Sequence, residues 1–200
     1  MVNMEALGEM EVEVLTELGN IGAGHAATSL STLLDQQIDI TVPKANLVKI
    51  ADIDKYMSNN IVAGVLMALQ DIDGTNSGYL YVMIPEASSN SVVSTLYGTD
   101  EVDPEMYSSA VMEVGNILSS SFCDACAEFM DIILLPSPPN YAMDMAIAVV
   151  DSMVSTMAES SDHIILFETA LSGESNTEVN LLLIPEATLF DDIMKMLEGL

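Results

Sequence analysis

Apolar residues recur at helical spacing over residues 5–35, through Met10, Val14, Leu18, Ile21, Leu30, Leu33 and Leu34, and predict one long helix. Residues 103–131 carry the same period, opened by Asp103 as N-cap and Pro104 as first helical residue. Short β-favouring runs follow each helix, at 38–42, 61–69 and 78–84 in the first half and 142–150, 164–171 and 178–184 in the second. Each half closes alike: a strand runs into Ile-Pro-Glu-Ala, at 84–87 and again at 184–187, where proline suits the first turn of a helix. Those last helices are predicted over 86–96 and 186–197. DIDGTNSG and SGESNTE occupy equivalent places before the last strand of each half and read as hairpin loops.

One order of elements used twice is a duplication, with repeat 1 over about residues 5–98 and repeat 2 over about 103–199 of a single domain spanning 1–200. Equivalent residues lie 96 apart in the long helices and 100 apart at Ile-Pro-Glu-Ala, so a small insertion separates the copies. Tight turns between strands predict a largely antiparallel sheet and an α+β fold. The expectation is an internally duplicated domain, its shared sheet carrying two long helices related by a pseudo-twofold axis.

The duplication also repeats a polar device. Glu17 and Asn20 stand three apart in ELGN, with Pro43 twenty-three residues beyond the Asn, and Glu113, Asn116 and Pro139 repeat both spacings. A carboxylate and a carboxamide three apart on a helix are neighbours on one face. Glu13, Glu17, Asn20 and Gly24, like Ser109, Glu113, Asn116 and Ser120, fall within an arc of roughly 60°, away from the apolar positions. A solvated helix face explains one such pair. Asn is mildly unfavourable in mid-helix, and the adjacent Gly19 and Gly115 each cost roughly 1 kcal/mol relative to Ala. Keeping both in two diverged copies favours function.

Composition limits that function. Against 31 acids stand four lysines (Lys44, Lys49, Lys55, Lys195), with no arginine. Nothing here neutralises a row of phosphates, so nucleic acid and anionic membranes are excluded as partners. The acidity fits high internal salt or a merely acidic mesophile. No apolar run reaches the roughly 18 residues of a membrane span, and the N-terminus lacks a basic start, so a soluble cytoplasmic protein without membrane insertion is expected. Cys123 and Cys126 form a CxxC deep in a helical pattern and far from the isolated His25 and His163, which reads as helix packing rather than zinc or redox chemistry. The Glu–Asn stripes hold no nucleophile with a base and no carboxylate cluster for a metal. The run GNIGAGH lacks the lysine and the strand-to-helix context of a phosphate loop. An Asn amide can orient a water, and a Glu can hold a partner's lysine. A phosphoryl substrate would therefore have to bring its own cation and metal.

At these residues the chain resembles the CheC-type phosphatases of chemotaxis, a family that includes CheX and FliY. Their site motif is Asp or Ser, three residues, Glu, two residues, Asn, twenty-two residues, Pro. Ser109, Glu113, Asn116 and Pro139 fit throughout; Glu17, Asn20 and Pro43 fit with Glu13 replacing the Asp or Ser. ELGNIGAGHAATSLSTLL looks like the first long helix of the two-site branch. Two intact motifs set the chain apart from single-site CheX, and the lack of a switch-component domain sets it apart from FliY. The resemblance implies hydrolysis of the aspartyl-phosphate of the response regulator CheY. Glu17 and Glu113 would bind the regulator's lysine, Asn20 and Asn116 would place the attacking water, and Glu13, Pro43, Ser109 and Pro139 would shape the sites. No cofactor of its own is implied, since the Mg2+ belongs to the regulator. CheD, a receptor-modifying deamidase, is implied as a further partner, with residues 153–159 as the candidate contact. The alternative is a non-catalytic adaptor that binds CheD or phosphorylated CheY without hydrolysis.

Overall fold

A computed structural model describes residues 9–56, 59–157, 163–172 and 177–198. Helix α1 spans Glu9–Leu34, strand β1 Asp39–Lys49, β2 Ile61–Gln70 and β3 Asn76–Pro85, followed by α2 at Glu86–Tyr97. The second half runs α3 (Pro104–Met130), β4 (Leu135–Pro136), β5 (Asn140–Met145), α4 (Ala146–Met157), β6 (His163–Ser172), β7 (Thr177–Pro185) and α5 (Ala187–Glu198). Local chemistry sets several of these ends. The Asp103 carboxylate accepts a hydrogen bond from the Met106 N–H at 2.9 Å with Pro104 just inside the helix, and α3 closes on left-handed Asp131. Between β2 and β3 the Asp71 carboxylate accepts from the Asp73 and Thr75 N–H groups, and Gly74 takes a positive φ of 80°. Residues 173–176 of the second predicted hairpin loop, and residues 5–8 of the first predicted helix, lie outside the described residues.

The seven strands among the described residues form one antiparallel sheet, in the order β1-β6-β7-β3-β2, with β4 and β5 both on the outer edge of β2. The expected α+β architecture is present. Each half lends its first long strand to the other: β1 pairs with β6, and β5 pairs with β2. The halves meet where β3 pairs with β7. The 100-residue offset carries the pair Tyr81–Leu182 onto Leu181–Val82, so a pseudo-twofold axis passes between those two rungs.

Alternation sorts the strand residues onto two cores. On one face Val65, Leu80, Val82, Ile165 and Leu183 pack beneath Leu15, Leu18 and Leu30 of α1 and Val111, Val114 and Phe122 of α3, with α2 and α5 filling the flanks. On the other face Tyr81, Met83, Ile164 and Leu182 meet Ile53 of a short 3-10 helix (Ile50–Lys55) and Ala146 and Val150 of α4. Both faces of the central strands are covered, which is why β3 and β7 read as nearly unbroken apolar runs.

Three sequence expectations are corrected. The strand predicted over 142–150 ends at Met145, and 146–150 begin α4. Buried Ala146 and Val150 stand one helical turn apart, but five apolar residues in a row carry no readable period. The strand predicted over 38–42 continues to Lys49, passing Pro43 through a register shift between Thr41 and Lys44, as an edge strand allows. Met10, assigned to the apolar face of α1, is 61% exposed.

Candidate functional site

The two Glu–Asn pairs sit in the first halves of α1 and α3, and how those helices pack decides what the pairs face. Gly22 marks the contact between the helices: a Cβ there would lie 3.2 Å from the Phe122 Cα and 3.5 Å from the Ala125 Cβ. At about 100° per residue, Glu17 and Asn20 lie roughly 140° and 160° around α1 from Gly22. Counted from Phe122, Glu113 and Asn116 lie roughly 180° and 120° around α3. Both pairs therefore face away from the helix contact, toward opposite flanks of the molecule.

Burial agrees with this placement. Glu13, Glu17, Ser109 and Glu113 are exposed, and Asn20 and Asn116 half-buried, while Leu15, Leu18, Val114 and Leu118 are in the core. Gly24, one turn past Asn20, has nothing within 4 Å of a built Cβ, so the approach to the Asn20 carboxamide is open on that side.

Gly115 has a packing reason that the sequence does not reveal. A Cβ at 115 would fall 2.6 Å from the Val65 Cβ, so the glycine lets α3 lie down on β2 beside Asn116. Its helix-propensity cost therefore reflects close approach, and the case for function rests on the Glu, the Asn and their spacing.

The prolines take equivalent places in the two halves, Pro43 within β1 and Pro139 immediately before β5. Pro139 is half-buried just ahead of β5, whose Tyr141 ring meets Tyr107 of α3 edge-on at 6.5 Å. Pro43 lies within β1 at its register shift, and its side chain lies outside the described residues. Three of the four lysines are directed elsewhere. Lys44 follows Pro43, yet Ala45 faces the α1 core, so Lys44 points to the other face, opposite Glu168, whose carboxylate accepts from the Asn46 amide at 3.2 Å. Lys55 is bound to Asp52, holding that carboxyl below its usual range by hydrogen bond and charge, and Lys195 is bound to Asp192 at 2.9 Å. Among the described residues no ion pair involves Glu17 or Glu113.

The CxxC lies inside α3 with both thiols free and buried. Burial, and next to it Asp124, pushes the Cys123 thiol up to about 12, and burial pushes Cys126 well above its ordinary value. That is the chemistry of inert packing residues. Among the described residues there is no group of three or more metal-ligating side chains, and no helix long and apolar enough to cross a membrane. Of the candidate CheD contact, residues 158 and 159 lie outside the described residues, and 153–157 end α4.

The CheC-like family matches at residues 10–47 and 106–141, two segments that contain all eight motif residues, from Glu13 to Pro43 and from Ser109 to Pro139. The CheY-P phosphatase CheC of Bacillus subtilis (strain 168) is 28% identical over 194 residues, covering 92% of this chain and 92% of that protein. The flagellar motor switch phosphatase FliY of the same organism is 29% identical over 142 residues, or 68% of this chain and 36% of FliY. The crystal structure of Thermotoga maritima FliY superposes over 100% of this chain and 99% of its own, at 21% identity and a TM-score of 0.73, and so shares the fold. The chain is CheC-like in sequence across both motif segments and FliY-like in fold.

Proposed function

We propose, from a CheC-like chain with two outward-facing Glu–Asn stripes, that this protein hydrolyses the aspartyl-phosphate of a CheY-type response regulator. The observation that carries the reading is the doubled stripe itself: the same carboxylate and carboxamide, on helices packed as one pair, turned to two separate flanks. Glu17 and Glu113 are exposed on their flanks, as docking of a folded substrate requires. Glu17 and Glu113 each offer a carboxylate that binds an ammonium group of the partner's active site, fixing the complex by a charge-assisted hydrogen bond. Asn20 and Asn116 reach the phosphoryl group as neutral carboxamides. They donate to and accept from the attacking water and hold it in line with the bond to be broken.

This division of labour follows from charge. The transferred phosphoryl group needs cations around it, and of the four lysines of this chain Lys44 is turned to the other face while Lys55 and Lys195 are bound to neighbouring acids. The Mg2+ and lysine of the reaction are assigned to the regulator, and the phosphatase supplies geometry. Ser109, Glu13 and the prolines shape the helix surface and the adjacent strand. CheD is proposed as a further partner through the end of α4.

The test is phosphate release from the phosphorylated cognate CheY, with wild type, Asn20→Ala, Asn116→Ala and the double variant. Each single substitution should lower turnover and the double should abolish it, while complex formation survives. Full activity in the double variant would sink the assignment. Binding without acceleration by the wild type would establish the adaptor instead.

A further inference from the structure

We propose that Met143 and Met145, with Ile61 beside them, form an apolar docking shelf for the regulator at the second site, with no counterpart at the first. This rests on the phosphatase reading above and names what distinguishes its two sites. The helix-facing row of β5 starts at Pro139, ahead of the strand, and continues through Tyr141, Met143 and Met145. The first two belong to the site: Pro139 closes the motif, and Tyr141 packs on Tyr107, two residues before Ser109. The next two continue past it uncovered, Met143 at 41% exposure and Met145 at 44%. Ile61, paired with Met145 across the β5–β2 ladder, is 45% exposed. Single exposed apolar residues are ordinary, but three adjoining ones form a patch that a partner can bury. Methionine suits such a surface, because its unbranched side chain adapts to the shape it meets.

Ninety-six residues earlier the same row reads differently: Pro43, Ala45, Leu47, Lys49. Ala45 is buried, Leu47 packs half-buried against the core, and exposed Lys49 ends the row. The chemistry of the two stripes is the same, and their flanks are not. A second copy is the weaker candidate occupant, since joining two bodies of net charge -27 works against their repulsion. A regulator seated at Glu113 and Asn116 already borders the row.

The experiment separates the sites before altering the shelf. Asn20→Ala leaves only the second site working and Asn116→Ala only the first, and Met143→Thr/Met145→Thr is added to each. With phosphorylated CheY as substrate, KM at the second site should rise about tenfold with kcat unchanged, and KM at the first should not move. Met143→Leu/Met145→Leu should restore the second-site KM, which a merely misfolded strand would not allow, and circular dichroism checks the fold of each variant. An unchanged KM at the second site, or an equal rise at both, overturns the shelf while leaving the phosphatase reading intact. Loss of a dimer on Met→Thr substitution in sedimentation would assign the surface to a second copy and overturn it too. No hydrolysis by the wild type removes both proposals together.

Discussion

Gly115 on α3 and Val65 on β2 approach so closely that no side chain fits between them: a Cβ at 115 would lie 2.6 to 2.7 Å from three atoms of Val65. Val65 is fully buried and β-branched, so it has no rotamer to retreat into. Gly115→Ala should gain about 1 kcal/mol of helix propensity and lose more to overpacking, for a net loss of about 1–2 kcal/mol in denaturant midpoints. Because Asn116 is the next residue, the lifted helix should also slow turnover at the second site, read in the Asn20→Ala background.

Gly24 is the opposite case, since a Cβ there meets nothing within 4 Å. Gly24→Ala should stabilise the protein by about 0.5–1 kcal/mol, seen as a raised midpoint with an unchanged denaturant slope. Gly24→Phe, placed one turn past Asn20, should obstruct the first site. Measured with Asn116→Ala, it should raise KM for phosphorylated CheY; an unaltered KM would show that this side of Asn20 is not approached.

The buried thiols make a pH prediction. Cys123 has its pKa raised from 9.0 to about 12, and Cys126 is raised as well, both chiefly by burial. A folded pKa above the unfolded one means that the unfolded state releases protons first. The contribution to stability is then complete below pH 9 and is lost as pH climbs toward 12. Urea midpoints should fall over that window, less steeply in Cys126→Ala. In native protein at pH 8 both thiols should resist iodoacetamide and become reactive only in denaturant. Rapid native labelling would refute their inert packing role.

With 31 acids against four lysines, self-repulsion opposes the compact state. Raising salt from 0.1 to 1 M shortens the screening length from about 10 to about 3 Å. The melting temperature should climb over that range of KCl. A flat or falling curve would show that the acids are spaced widely enough not to oppose folding.

Much of the architecture is legible along the chain because the chemistry that sets it is local. The Asp103–Pro104 start of α3 and the Asp71–Gly74 turn need only neighbours within a few residues, and both are where the sequence puts them. The Glu–Asn stripes are visible for the same reason, since residues three apart on a helix share a face wherever the helix lies. Helix α4 was hidden because Ala146 to Val150 are apolar without interruption, and the sheet beneath supplies the difference between helix and strand. Along the chain Gly115 shows only its helix-propensity cost, and the reason for it, Val65 lying directly beneath, is a tertiary contact.

Two copies of one unit, each with a Glu, an Asn and a distant proline at fixed spacing, can be read along the chain. How the copies join and where their stripes point depends on contacts between distant elements. Strand β1 pairs with β6 and β5 with β2, each across the boundary between halves. Residues 39 and 172 become neighbours through hydrogen bonds that no period along the chain records. Periodicity encodes which side of an element is apolar, but not which distant element covers it. The contact of Gly22 with Phe122 is of that second kind. By turning α1 and α3 toward each other on one side, it leaves both Glu–Asn pairs outermost on the other.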